Sequence, residues 1–242
     1  MKVSKLRTWW IIFLSGLFTI NTTGRSVLKN LFGTTNRAWV DGTLHIWVRR
    51  ILSLVKVKCV VINPHHVEPQ AGQPTIIMCN HSSLYDIPLS LQAFPKHSIR
   101  MLAKKEMSRI PIVGKGMTAA EFPFIDRKNR RQAIKDLQCV QALLASGIIL
   151  WIAPEGTRSH DGKLAPFKKG AFITAIQAKA TIIPMGIRGA FDILPARTQQ
   201  FNINQTAEIH IGKPIDASQF TLENKDALVD HVFQAIKHLV GT

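Results

Sequence analysis

From residue 57 onward, short apolar runs alternate with stretches in which apolar residues recur every three or four positions. Residues 148–153 are all apolar, which predicts a strand that is buried on both faces. Residues 130–146 carry apolar side chains at helical spacing. The same pattern predicts strands at 57–62, 75–79, 99–103, 122–125, 181–187 and 208–211, and helices at 84–93, 170–178 and 222–239. Alternating strands and helices predict an α/β domain with a largely parallel mixed sheet flanked by helices.

The N-terminal 56 residues follow a different pattern, with two apolar segments set among basic residues. The first is a run over residues 9–20 that begins with two tryptophans. A helix over this run would cover roughly 18 Å, against about 30 Å of bilayer hydrocarbon, which predicts an interfacial or re-entrant helix. The second segment, residues 37–57, predicts an amphipathic helix. We therefore expect a membrane-associating helical hairpin in residues 1–56 and an α/β domain in residues 57–242.

Two other interpretations of the N-terminal segment remain open. It could be a helical hairpin packed on the protein's own core. It could also be a secretory signal peptide, because basic residues precede an apolar run, although no small-x-small cleavage site follows at residues 21–25.

The chain is strongly basic, with 31 Lys and Arg against 15 Asp and Glu and a formal net charge of +16. Such a surplus indicates a polyanionic partner, either an anionic membrane surface or nucleic acid. Residues 1–60 hold ten basic residues and one acid, and residues 96–135 hold eleven and three. The second patch has only Phe122 and Phe124 for base stacking, both in a predicted strand, so nucleic-acid binding is not expected. Anionic membrane lipids are the expected partner.

The three cysteines, Cys59, Cys79 and Cys139, are widely spaced and lie in apolar runs. Their odd number and spacing fit neither a disulfide framework nor a zinc site. We therefore expect core thiols in a reducing compartment, and no metal site.

The polar segment after the second predicted strand carries the most distinctive chemistry. Residues 80–83 are Asn-His-Ser-Ser, with Ser82 and Ser83 as N-cap candidates, and Asp86 lies one turn into the predicted helix. A strand-to-helix corner lets the Asp86 carboxylate reach back to His81 and hold its Nδ1–H, which leaves the other ring nitrogen free as a general base. The spacing alone is loose, and an incidental polar loop remains an alternative.

Three further strand ends carry unusual residues, and in open α/β sheets functional groups collect where strands end. Arg127 closes one predicted strand, residues 154–159 (Pro-Glu-Gly-Thr-Arg-Ser) follow the buried strand directly, and Pro184 interrupts an apolar strand. Together they predict a site at one edge of the sheet. The plain alternatives are a solvated charge for Arg127, a surface ion pair between Glu155 and Arg158, and ordinary helix-start charges for Lys104 and Lys105.

Four short motifs carry a resemblance to a known family. They are His81-Ser82-Ser83-Leu84-Tyr85-Asp86, Phe124-Ile125-Asp126-Arg127, Glu155-Gly156-Thr157-Arg158 and Ile183-Pro184, in this order. Over about residues 60–190 the chain resembles the glycerolipid acyltransferase family, and within it the 1-acylglycerol-3-phosphate acyltransferases. Residues 103–106, with Ile110, Pro111 and Gly114, are similar to the family's stretch between its first two motifs.

The resemblance implies membrane-bound transfer of a fatty acyl group from an acyl thioester to the sn-2 hydroxyl of lysophosphatidic acid, giving phosphatidic acid. His81 would be the general base and Asp86 would orient it, without a covalent acyl-enzyme. The acceptor would be bound by Lys104, Arg127, Glu155, Gly156, Thr157 and Arg158. No cofactor is implied, and the donor is acyl coenzyme A or acyl carrier protein. The active site would face the cytoplasm, at the inner membrane if the chain is bacterial.

Two departures from the family pattern leave the acceptor open. Leu84-Tyr85 stands where a tryptophan is common in the first motif, and residues 117–121 differ from the usual sequence before the second motif. Glycerol 3-phosphate, another lysophospholipid and a lyso-aminolipid are alternative acceptors for the same chemistry. An inactive lipid-binding relative is disfavoured, because His81 and Asp86 are both present.

Overall fold

The computed structural model describes residues 2–126 and 129–241, which form two sheets and their flanking helices. The helices are α1 (Lys5–Leu31), α2 (Arg37–Leu54), α3 (Asp86–Ser90), α4 (Val113–Ala119), α5 (Arg130–Ala145), α6 (Gly170–Gln177), α7 (Ala190–Ile193) and α8 (Lys225–Val240). The strands are β1 (Lys58–Ile62), β2 (Thr75–Cys79), β3 (Ile99–Met101), β4 (Ala103–Lys104), β5 (Phe124–Ile125), β6 (Ile149–Ile152), β7 (Thr181–Arg188), β8 (Thr206–Ile211) and β9 (Ile215–Asp216). Each predicted strand and helix has a counterpart, and the α/β class is confirmed.

One seven-stranded sheet forms the centre of the fold, in the order β1-β8-β7-β2-β6-β3, with β9 beside β7. Strands β7, β2, β6 and β3 run parallel to one another, while β8 and β1 are parallel to each other and antiparallel to β7. This is the largely parallel mixed sheet that the sequence predicts. Its parallel part brings the carboxyl ends of four strands to one edge, where a site is expected.

Apolar cores cover both faces of the sheet. One core includes side chains of α2, α3 and α7, and Val48 and Leu89 in it have no exposed surface. The other lies beneath α5, α6 and α8, where Val140, Phe172 and Val232 are fully buried. Full burial of side chains of this size stabilises a fold by about 1.5–3 kcal/mol each. Helix α2 is therefore part of the folded core.

Pro184 lies inside β7, a central strand, where its missing N–H would normally interrupt a hydrogen-bond ladder. On the side away from β2, β7 pairs with β9 at Thr181 and Ile182, and with β8 only from Met185 onward. Pro184 stands where the partner changes, and its carbonyl accepts a hydrogen bond from the Gly212 amide at 2.9 Å. The proline is tolerated because no ladder donor is needed at that point.

Helix α1 is much longer than the apolar run that predicts it. It has 27 residues, which is roughly 40 Å at 1.5 Å per residue, so the predicted length is too short. The polar side chains at the end of the run and beyond it are accommodated by hydrogen bonds within the helix. The hydroxyls of Thr19, Thr23 and Ser26 donate to the carbonyls one turn back, at 2.8, 2.8 and 3.2 Å. By length and composition alone, α1 is the one helix of the described chain that could cross a bilayer.

The two faces of α1 have opposite environments. Apolar side chains at helical spacing are exposed along its outer face: Leu6, Trp9, Trp10, Phe13, Leu17, Ile20, Leu28 and Leu31. On its inner face Ile11 and Ser26 are buried, and the Thr23 carbonyl lies so close to Gly116 of α4 that no side chain could be placed there. The interpretation of a hairpin packed on the core thus holds for α2 and for one face of α1.

Two ion pairs fasten α2 to the α/β domain. Arg100 of β3 is fully buried, and its Nη1 donates to Asp41 Oδ1 at 2.7 Å, while Ser98 donates to the other Asp41 oxygen at 2.5 Å. At the start of α2, Arg37 donates two hydrogen bonds of 2.8 Å to the Glu121 carboxylate. The position of α2 is thereby tied to the segment that connects α4 and β5.

Three predicted elements differ from the structure. The helix predicted over 84–93 is only the five residues of α3, because the chain turns towards Pro95, which disfavours helix before it. The strand predicted over 99–103 divides at Leu102, whose amide donates to the Trp151 carbonyl at 3.1 Å. Strand β5 pairs with β4 in a separate two-stranded sheet. The sequence does not predict β9, α4 and α7, because they are too short to show the regular spacing of apolar residues.

Candidate active site

The ends of β2, β6 and β3 bring three of the predicted site residues to one edge of the sheet. His81 follows β2, Glu155 follows β6, and Lys104 ends β4 shortly after β3. Because the three strands are neighbours and parallel, these residues leave the sheet in the same direction.

His81 and Asp86 are in direct contact, with His81 Nδ1 2.7 Å from Asp86 Oδ2. An ionised carboxylate only accepts hydrogen bonds, so Nδ1 carries the proton and Nε2 is left as an acceptor. The Asp86 side chain is fully buried and that of His81 is 16% exposed, so the imidazole reaches the surface of the site while its partner is shielded from water. A histidine held in this way has the tautomer and orientation of a general base.

Backbone groups fix the corner between β2 and α3. Asp86 Oδ2 also accepts from the amides of Ser82 and Ser83, at 2.7 and 2.8 Å. The capping predicted for Ser82 is wrong, because Asp86 is the acceptor at this corner and α3 starts two residues later than expected. The Ser83 hydroxyl oxygen does accept a backbone amide, that of Tyr85 at 3.2 Å, and the hydroxyl donates to the Leu194 carbonyl at 2.8 Å, which ties the corner to the chain after α7.

Glu155 is buried beside His81 and binds backbone amides. Its Oε1 accepts from the His81 amide at 2.7 Å and its Oε2 from the Ala165 amide at 2.9 Å. Burial raises the pKa of Glu155, against the lowering effect of these two hydrogen bonds. The alternative of a surface ion pair between Glu155 and Arg158 is wrong, because both carboxylate oxygens are directed into the interior.

The main chain on either side of His81 is held as well. The His81 carbonyl accepts from the Ser159 amide at 2.6 Å. The Asn80 side chain donates to the Ile187 carbonyl at 3.0 Å and accepts from the Ile187 amide at 2.8 Å, which joins the ends of β2 and β7. Groups from three strand ends therefore set the position of one imidazole.

The interior side of His81 is apolar. The Trp151 ring meets the imidazole edge to face, with centroids 5.7 Å apart and planes at 83°. Of the three cysteines predicted to be core thiols, Cys79 is buried, Cys59 is half-buried and Cys139 is exposed, so the prediction is wrong for Cys139. Burial raises the pKa of the Cys79 thiol well above the usual value, with the charges of Asp86 and Glu155 acting in the same direction. A thiol of raised pKa is a poor nucleophile.

Cationic side chains lie at the same edge. Lys104 is exposed and Arg158 is half-buried, and neither forms an ion pair within residues 2–126 and 129–241. Arg127 lies outside the described residues. Thr157 is exposed, and Gly156 has a φ of +74°, a backbone conformation that favours glycine. The loop after β6 can thus present the Arg158 guanidinium to an anionic group.

A family model described as Acyltransferase matches residues 58–188, more than half of the chain. The chain belongs to this acyltransferase family. The match runs from the first residue of β1 to the last residue of β7 and includes all four motifs. The resemblance inferred from those motifs is confirmed.

Proteins similar to this chain include two 1-acyl-sn-glycerol-3-phosphate acyltransferases and one solved structure. 1-acyl-sn-glycerol-3-phosphate acyltransferase alpha of Mus musculus is 31% identical over 74% of this chain, and the Saccharomyces cerevisiae 1-acyl-sn-glycerol-3-phosphate acyltransferase is 31% identical over 90%. The alignments span 62% of the mouse protein and 70% of the yeast protein, so this chain covers less than two-thirds of the mouse relative. The crystal structure of the 1-acyl-sn-glycerophosphate acyltransferase PlsC from Thermotoga maritima matches with a TM-score of 0.78 and 25% identity, over 96% of this chain and 92% of that one.

Arg100 supports the candidate site and was not singled out from the sequence. Its Nε donates to the Ala120 carbonyl at 2.6 Å, and its guanidinium lies 5.6 Å from the centre of the Phe122 ring. These contacts hold the chain that leads to the second motif. Two features of the sequence could have identified Arg100. It is an arginine inside the apolar strand Ile99–Met101, and Asp41 is the only acid among residues 1–60 that could pair with it.

Proposed function

We propose that the protein transfers a fatty acyl group from an acyl thioester to the sn-2 hydroxyl of lysophosphatidic acid, giving phosphatidic acid. The observation that carries this proposal is the contact between His81 and the buried Asp86, at the edge of the sheet that also carries Lys104 and Arg158. The names of the relatives support the choice of acceptor.

The chemical step uses His81 Nε2 as a general base. As Nε2 takes the proton from the acceptor hydroxyl, the hydroxyl oxygen attacks the thioester carbonyl and forms a tetrahedral intermediate. The intermediate collapses with cleavage of the carbon–sulfur bond, and the leaving thiolate takes the proton back from the imidazolium. Asp86 stabilises that imidazolium through Nδ1–H. An ester and a thiol are the products, and no acyl-enzyme is formed.

The acceptor phosphate would bind to the cations around His81. Arg158 and Lys104 are without carboxylate partners in the described residues, and Arg127 belongs to the same group in the sequence. Arginine binds phosphate through two parallel N–H···O bonds, and lysine supplies a point charge. Gly156 and Thr157 shape the turn, and Glu155 holds the turn beside His81.

The protein would act at a membrane, with its active site on the cytoplasmic side, at the inner membrane if it is bacterial. The exposed apolar face of α1 is the surface that would enter the lipid, with Trp9 and Trp10 at headgroup level. Residues 1–56 would thus form the membrane-associating segment and residues 57–242 the acyltransferase domain. The acyl donor would be acyl coenzyme A or acyl carrier protein, with no further cofactor.

The test is acyl transfer by the detergent-solubilised full-length protein, with phosphatidic acid measured by mass spectrometry. Both donor types would be offered with lysophosphatidic acid, glycerol 3-phosphate, other lysophospholipids and a lyso-aminolipid. We expect turnover of lysophosphatidic acid that is lost in His81→Ala and kept in His231→Ala, a change at an exposed histidine of α8. Preference for a different acceptor would overturn the substrate assignment, and activity that survives His81→Ala would overturn the mechanism.

A further inference from the structure

Lys168 lies against the turn that follows β6, although no sequence motif draws attention to it. A Cβ placed on Gly156 would be 3.0 Å from Lys168 Cδ, 3.1 Å from Cε and 3.2 Å from Nζ. The whole outer part of the lysine side chain therefore runs across Gly156, and its ammonium stays at the turn. Glycine at this position leaves room for the lysine.

The backbone holds Lys168 in this place. The Lys168 amide donates to the Pro154 carbonyl at 2.8 Å, and three residues earlier the Ala165 amide donates to Glu155 at 2.9 Å. The intervening Phe167 is fixed by ring contacts with Phe172 and Phe233, at 6.1 and 5.1 Å between centroids. The segment is anchored to the same carboxylate that supports the His81 backbone.

The neighbouring lysine has a different environment. Lys169 Nζ forms an ion pair with Asp226 at 2.8 Å, whereas Lys168, also exposed, has no carboxylate partner in the described part of the chain. An ammonium held at a site edge and left without a counter-ion is arranged for an anionic ligand. Because Lys168 lies against Gly156, two residues before Arg158 in the chain, the acceptor phosphate is the ligand within reach.

We propose that Lys168 is a further binding residue for the phosphate of the acyl acceptor, acting across Gly156 together with Arg158. This inference rests on the proposed function, because it requires an acceptor that carries a phosphate. Lys168 would raise affinity for the phosphate group and take no part in proton transfer.

The test is binding of lysophosphatidic acid to full-length protein that carries His81→Ala, so that no turnover occurs. Lys168→Met is added because it keeps the alkyl chain over Gly156 and removes only the charge. Lys169→Met is the matched control, and Lys168→Arg tests whether charge restores binding. We expect Lys168→Met to raise Kd about tenfold or more, as loss of a charge-assisted contact does, with Lys169→Met unchanged and Lys168→Arg close to the parent.

Kinetics in the otherwise wild-type protein give a second readout. Lys168→Met is expected to raise KM for lysophosphatidic acid and leave KM for the acyl donor and kcat nearly unchanged. If the parent binds lysophosphatidic acid and Lys168→Met binds equally well, the inference is wrong while the proposed function stands. If the His81→Ala parent does not bind lysophosphatidic acid at all, the proposed acceptor is wrong, and the inference about Lys168 is wrong as well because it requires that acceptor.

Discussion

At the scale of single residues, one carboxylate oxygen organises the centre of the site. Asp86 Oδ2 receives three N–H groups, from the His81 ring and from the amides of Ser82 and Ser83. The orientation of the imidazole and the path of the backbone through the corner are therefore set by the same atom. Any change at Asp86 is expected to disturb both.

Glu155→Gln tests whether Glu155 acts through the backbone of His81. Glutamine has one acceptor oxygen, so its NH₂ group would face one of the two buried amides and leave that donor unpaired. We expect a loss of about 1–3 kcal/mol in the free energy of unfolding. A small shift of His81 is expected to lower kcat by roughly ten- to a hundredfold, with KM for the acceptor little changed.

Steady-state kinetics and thermal unfolding of Glu155→Gln check this prediction, with Glu223→Gln as a control at an exposed carboxylate. A rise in acceptor KM at unchanged kcat would instead mean that Glu155 contacts the substrate directly.

The parts of the site that are close in sequence could be predicted, and those that depend on distant backbone could not. His81 and Asp86 are five residues apart at a strand end, so their contact follows from local geometry. The amide contacts of Glu155 join it to His81, 74 residues away, and no side-chain pattern marks an amide donor. Lys168 was missed for the same reason, since only the fold brings it to Gly156.

At the scale of elements, the ion pairs of α2 connect the N-terminal hairpin with the sheet. Arg37 and Glu121 are about one-third exposed, whereas the Arg100 side chain is wholly buried against Asp41. Removing one partner of a buried pair typically costs about 3–5 kcal/mol, but an exposed pair contributes about 0–1 kcal/mol. Most of the attachment energy is therefore expected to lie in the Arg100–Asp41 pair.

The more exposed ion pair, Arg37–Glu121, gives a prediction of how stability depends on pH. The hydrogen bonds from Arg37 hold the pKa of Glu121 below its usual value. A carboxylate of lowered pKa adds stability above the pKa of the unfolded chain, about 4.3, and that stability is lost as pH falls through the lower folded value. Glu121→Gln is thus expected to be less stable than the wild type at pH 7, by up to about 1 kcal/mol, and the difference is expected to narrow as pH falls below about 4.3.

Chemical denaturation across this pH range measures this difference, and Asp230→Asn, at an exposed position of α8, should show none. A gap between wild type and Glu121→Gln that does not narrow as the pH is lowered would rule out the carboxylate charge as its cause.

The sequence predicts whether a segment is a helix or a strand where the periodic pattern extends over many residues or where the run is wholly apolar. It does not predict where the elements end. Strand β2 has the predicted bounds because a proline and a polar corner limit it. Helix α1 passes its predicted end because the prediction covered only the apolar run, whereas the polar residues that follow belong to the same helix and bond their hydroxyls within it. Helix α3 begins late because the hydrogen bonds that Asp86 accepts at the corner, and not helix propensity, decide where it starts, and it ends early as the chain turns towards Pro95.

At the scale of the whole molecule, one face of the N-terminal hairpin is apolar and open while the chain as a whole carries +16. We expect Trp10→Glu with Phe13→Glu to weaken binding to anionic phosphatidylglycerol vesicles more than tenfold. Each side chain loses apolar transfer energy of the order of 1.5–3 kcal/mol, and 1.4 kcal/mol corresponds to tenfold. Vesicle co-sedimentation after detergent removal measures the change.

Leu222→Glu is the matched control, because Leu222 is also exposed but lies beside α8. Binding by the wild type should fall with rising salt and be weaker on neutral phosphatidylcholine vesicles. Equal binding by the double variant and the wild type would mean that the outer face of α1 does not meet lipid.

The most direct measurement of the whole account is the rate of acyl transfer to lysophosphatidic acid in His81→Ala, Asp86→Asn and the double variant. If His81 is the base and Asp86 acts only through it, His81→Ala lowers kcat by about 10²–10⁴-fold or more, and adding Asp86→Asn lowers it no further. Asp86→Asn alone should lose a substantial part of the rate. Losses that multiply in the double variant, or a rate that survives in His81→Ala, would contradict the account.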